Sequence, residues 1–172
     1  MPDDDVLVIG YGSDLRGDDA AGVRAAEAVA AAGLPGVRVM TAPQLLPEIT
    51  TDLAGSRAVI FVDASAVDTV VEVRRLAPAS PSWRLTHHVA PASLLALAAA
   101  LGSPPADAYV VSIPARGFQL GAELSGTTAA ALSEAVDRIV DLCHELGRVS
   151  PSMPAPPALQ PGGRPEPGTA SS

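Results

Sequence analysis

Two stretches of this chain are apolar almost without interruption: VLVIGY at residues 6–11 and AVIFV at residues 58–62. A strand with one face in water alternates polar and apolar side chains, so runs like these suit strands covered on both faces. That requirement points to a parallel sheet with helices above and below it. VRVMTA (37–42) and AYVVSIPA (108–115) read as two further strands, and RAVIFVDAS (57–65) extends the central run until Asp63 ends it.

Helical patterns fill the gaps between these strands. After residue 18, Val23, Ala26 and Ala30 recur on one face until Gly33 stops the helix. A short helix within 43–55 closes at Gly55, and another over 92–102 closes at Gly102. The longest runs from Thr127 to Leu146 with Leu132, Val136, Ile139, Cys143 and Leu146 on one stripe. TVVEVRRL (69–76) alternates and carries charge, which marks an edge strand. The expected fold is α/β with three α/β/α layers around a twisted, mostly parallel five-stranded sheet.

Aromatic residues make up only 3% of a chain that is 48% hydrophobic, and small core side chains let helices sit close on a sheet. Residues 1–147 read as one domain. From residue 148 the chain changes to RVSPSMPAPPALQPGGRPEPGTASS, whose seven prolines and missing apolar period mark a disordered tail over 148–172.

Charge narrows the function classes. A net charge of −8 and a pI near 4.7 oppose binding to nucleic acid or to an anionic membrane. The start, MPDDD, has the wrong sign for an export signal, and no apolar run reaches membrane-spanning length. One cysteine, Cys143, leaves no internal disulfide and suits a reducing compartment. A cytoplasmic protein without membrane insertion is expected.

Gly10 and Gly12 suggest a nucleotide-binding turn, but the dinucleotide pattern needs a third glycine where Leu15 stands. The phosphate-loop pattern needs a lysine, and the chain has none. Asp18 and Asp19 would also repel a phosphate at the helix N-terminus. The adjacent acids therefore need another explanation. Asp18 is most simply a helix N-cap. Asp19 either decorates the first turn or does chemistry. Asp63, directly after a buried apolar run, carries a desolvation cost unless something pairs with it.

Open α/β sheets place their sites beyond the carboxyl ends of the strands. Asp19, Asp63 and the loop-borne His87 or His88 can reach that rim, and two carboxylates with an imidazole suit zinc, nickel or a similar ion. His144, near the end of the last helix, suits the helix dipole and stands outside this set. No G-x-S-x-G nucleophile motif occurs, and Cys143 falls on the buried stripe, so a covalent mechanism is not expected.

In order and spacing, VLVIGYGSDLRGDDAAGVR, VIFVDAS and THHVAPASLLAL resemble the hydrogenase maturation proteases over residues 6 to about 146. Gly10, Gly12, Asp18, Asp19 and Gly22 match the most specific motif, a strand, G-x-G-N, an Asp-Asp or Asp-Glu pair, a glycine and a helix. The family's asparagine is Ser13 here, and Ala20-Ala21 replaces a glycine-containing stretch. The resemblance implies a mixed five-stranded sheet with 69–76 as its antiparallel member. It also implies an endopeptidase that trims the C-terminus of the large subunit of a nickel-iron hydrogenase. Asp19 and Asp63 match the metal-binding carboxylates, and helix register favours His87 over His88 as the third ligand.

By the same resemblance, nickel is supplied by the substrate protein, with zinc or cadmium as substitutes in vitro. The partner is the large-subunit precursor and the protease a monomer. Cleavage is either metal-assisted or carried by Asp19 and Asp63 as an acid/base pair. A non-catalytic nickel-binding or scaffolding factor using the same acids is the alternative.

Overall fold

A computed structural model of the chain describes residues 6–77 and 90–148. The order is β1 (Val6–Tyr11), a 3-10 turn (Gly17–Ala20), α1 (Ala21–Ala32), β2 (Val37–Ala42), a 3-10 turn (Pro47–Ile49) and α2 (Thr50–Leu53). β3 (Ala58–Ser65), β4 (Glu72–Arg75), α3 (Pro91–Ala100), β5 (Asp107–Pro114) and α4 (Gly126–Arg148) follow. The strands lie in the order β2-β1-β3-β5-β4. All neighbours are parallel except β4, which pairs antiparallel with β5 at one edge.

The apolar runs are covered on both faces, as their composition requires. Val6 and Val8 of β1 with Ala58, Ile60 and Val62 of β3 join the core beneath α1 and α4. Leu7 and Ile9 with Val59 and Phe61 point the other way, against Ile49, Leu53, Leu94 and Leu95. The α/β reading and the antiparallel edge strand are both borne out.

Two details of the sequence reading need correction. The buried face of α1 is Ala21, Gly22, Ala25, Ala26 and Val29, whereas Ala30 is exposed and Val23 only half-buried. The face is rotated because the helix meets the sheet backbone at Gly22. A Cβ there would lie 2.4 Å from the Val62 carbonyl oxygen and 2.6 Å from that of Tyr11. A Cβ on Gly10 would lie 2.2 Å from the Gly22 carbonyl oxygen. These two glycines allow the first turn of α1 to rest on the strand ends, which no larger residue permits.

Asp63 also does not end its strand. β3 continues to Ser65 through pairs with β5, while the ladder between β1 and β3 stops at Gly10 and Val62. Asp63 thus sits where β1 and β3 part. Because β1 leads to β2 on one side and β3 lies on the other, this is the topological switch point of the sheet. His87, His88 and residues 149–172 lie outside the described residues.

Candidate active site

The adjacent acids have opposite roles. Asp18 is fully buried and does not cap a helix. Its side chain turns toward the loop between β5 and α4, nearly a hundred residues away. Its Oδ2 accepts from the Arg116 N–H at 2.7 Å, the Gly117 N–H at 2.8 Å and the Ser125 hydroxyl at 2.8 Å. Its Oδ1 accepts from the Ser125 N–H at 2.6 Å. Burial alone would raise this carboxyl, but the N–H groups of Arg116, Ser125 and Gly117 and the Ser125 hydroxyl hold it well below the usual carboxylate range. The expectation of an N-cap is therefore overturned. Ser125 caps α4 instead, its Oγ accepting the Thr128 N–H at 3.4 Å.

Asp19 faces the other way and stays partly accessible. Its Oδ2 accepts the Ser13 N–H at 2.8 Å. The turn that brings Ser13 there needs Gly12 at φ 135°, where a Cβ would fall 2.0 Å from the Asp19 carbonyl oxygen. The glycines of the first motif thus shape a carboxylate site.

Asp63 is half-buried beside Tyr11, whose hydroxyl donates to Asp63 Oδ2 at 2.8 Å. Desolvation pushes the Asp63 carboxyl up to about 6; the Tyr11 hydroxyl and the Ala64 N–H oppose this, and the nearby charge of Asp19 adds to it. Burial, the Asp63 charge and the hydrogen bond raise the Tyr11 phenol far above its ordinary value, so it remains a donor.

A cleft of about 370 Å³ opens beside Asp63, with Tyr11, Arg74, Ser112, Val110 and Pro91 in its walls. Among the described residues no group of three or more His, Cys, Asp or Glu side chains forms a metal site. Of the residues expected at a metal site, Asp19 and Asp63 are the two that lie among the described residues. His144 is exposed in the last turns of α4, about 27 Å along that helix from its start at the switch-point edge. Burial pushes the Cys143 thiol up to about 11, which removes it as a nucleophile. Tyr11 was not singled out from the sequence, although a phenol inside an aliphatic strand of an aromatic-poor chain was a usable signal.

The architecture matches solved structures over most of its length. HybD, a hydrogenase-maturating endopeptidase from E. coli, superimposes with a TM-score of 0.67 at 20% identity, covering 82% of this chain and 93% of that one. The fold is that of the hydrogenase maturation endopeptidases. An endopeptidase from Escherichia coli known from a solution structure matches with a TM-score of 0.67 at 25% identity over 82% and 93% of the two chains. The NiFe hydrogenase maturation protease HycI from Thermococcus kodakarensis gives 0.59 at 24% identity over 84% and 93%. No family model and no curated protein sequence matches the chain. The resemblance of its motifs to the maturation proteases is borne out by this shared endopeptidase architecture.

Proposed function

We propose that this chain is an endopeptidase that removes the C-terminal peptide from the nickel-loaded precursor of a nickel-iron hydrogenase large subunit. The observation that carries the reading is the placement of Asp19 and Asp63. Asp63 stands where β1 and β3 part and Asp19 in the 3-10 turn that follows β1, on the carboxyl side of the sheet, and each accepts from a fixed donor. Such a pair suits a visiting cation rather than an anion, which accounts for acids at a position that resembles a phosphate turn.

The substrate's nickel would be met by Asp19, Asp63 and His87, an O, O, N donor set. His87 precedes Ala90 on the cleft wall by three residues, a span of at most roughly 11 Å in extended chain. As the alternative to holding the ion during cleavage, the two carboxylates can serve as an acid/base pair, one taking a proton from water and the other handing one to the leaving amine.

The surface around the site suits a protein substrate. Among the described residues, Leu15, Leu46, Val67, Val70 and Leu120 are exposed on loops at the carboxyl edge of the sheet, whereas Leu101 alone of the large exposed apolar side chains lies elsewhere. A small-molecule site does not need an apolar rim outside its cleft.

Incubating nickel-loaded precursor with purified variants and resolving precursor from mature subunit on a gel tests the reading. Asp63→Asn and His87→Ala are expected to abolish shortening while the fold persists. Normal shortening by both overturns the site, and binding without shortening by the wild-type protein favours the scaffolding alternative.

A further inference from the structure

Tyr11 stands between Gly10 and Gly12, and the proposed chemistry does not use it directly. Strand register places it beside Asp63, one step past the last pair of the β1–β3 ladder. Its ring packs against the core on the α3 side, so the phenol approaches Asp63 from a fixed direction. The 2.8 Å bond engages Oδ2. A carboxyl group turns about a broad, two-fold torsion, so an aspartate at a cleft has no defined plane unless donors set it, here the Tyr11 hydroxyl and the Ala64 N–H. We infer that Tyr11 is a positioning residue, its hydroxyl setting the plane of the Asp63 carboxyl and leaving Oδ1 as the oxygen that the phenol does not occupy.

The inference rests on the proposed role of Asp63 and adds a division of labour to it. Asp63 meets the substrate, and Tyr11, in the same cleft wall, acts through its bond to Asp63. Groups that orient a metal-binding side chain from behind are worth roughly 10–100-fold in affinity or activity. Tyr11→Phe removes the donor and keeps the ring, so packing is retained.

Three measurements on the full chain test this: precursor processing, Ni²⁺ binding by calorimetry and thermal melting. Tyr11→Phe is expected to lower kcat roughly 10–100-fold and weaken Ni²⁺ binding by a similar factor. The melting temperature should stay near wild type. In an Asp63→Asn background, Tyr11→Phe should cause no further loss of Ni²⁺ affinity, because the group it orients has changed. A Tyr11→Phe protein equal to wild type in kcat and Ni²⁺ affinity overturns the inference, as does a kcat loss that merely tracks a lowered melting temperature. If Asp63→Asn itself processes normally, the site assignment and the inference fall together; if it is inactive while Tyr11→Phe is normal, only the inference falls.

Discussion

Asp18→Asn offers the sharpest test of how the first motif is built. The carboxylate is fully buried and accepts four hydrogen bonds from the β5–α4 loop. Asparagine keeps the shape but replaces one acceptor with a donor. Its best orientation sets the carbonyl oxygen against the Arg116, Gly117 and Ser125 hydroxyl donors, and then the amide nitrogen faces the Ser125 N–H. One buried donor without an acceptor costs about 1–3 kcal/mol, and each surviving bond weakens by about 1 kcal/mol on losing the charge. Relief of the buried charge offsets part of this, leaving about 3–5 kcal/mol. At about 2–4 °C per kcal/mol for a chain this long, melting should fall by about 10 °C at pH 7. The same change should speed hydrogen exchange at Arg116, Gly117 and Ser125. The folded carboxyl titrates below its unfolded value, so its contribution is complete above the unfolded pKa of about 4 and fades as pH falls further. The difference between wild type and variant should therefore be flat from pH 5 to 8 and shrink below about pH 4. A melting shift under about 2 °C at pH 7, with exchange at those amides unchanged, would refute the reasoning.

Other consequences concern the site and its frame. Asp63 has the opposite sign: its carboxyl is raised to about 6 in the folded chain, so stability falls as pH rises from about 4 to 6. Asp63→Asn should then melt higher than wild type at pH 7–8, by up to about 3 kcal/mol or roughly 6–12 °C, and lose that advantage below about pH 4. Gly22→Ala forces a Cβ against two carbonyl oxygens, so it should cost about 2–3 kcal/mol or more and reduce processing by moving Asp19. Gly126→Ala, with open space around its position at the start of α4, should be neutral or stabilising by about 0.5 kcal/mol in chemical denaturation. Val67→Asp and Leu120→Asp change side chains that are 86% and 79% exposed, so they should raise KM for the protein precursor without lowering the melting temperature. Unchanged KM in both would remove the apolar rim from the substrate interface.

What the sequence disclosed, and what it withheld, follows from the range of the interactions involved. Strands buried on both faces announce themselves because every position is apolar, and β4 is legible through the charge on Glu72, Arg74 and Arg75 at an edge. The face of α1 was misjudged because period alone does not reveal a close approach. Gly22 makes the close approach to the strand backbone there, yet a hydrophobic pattern gives glycine no weight. Asp18 and Asp19 are chemically identical neighbours, and nothing within a few residues says which turns inward. That choice is made by N–H groups at Arg116, Gly117 and Ser125, which the fold delivers from the far end of the chain. The inward acid then helps the outward one, because a clamped Asp18 fixes the turn from which Asp19 projects. Long-range donors also set Asp63, through Tyr11. The pattern of the site is therefore local in its acids and non-local in what aims them. A family motif can locate such acids, but only the folded chain shows that Asp18 is buried in a structural clamp while Asp19 stays partly accessible.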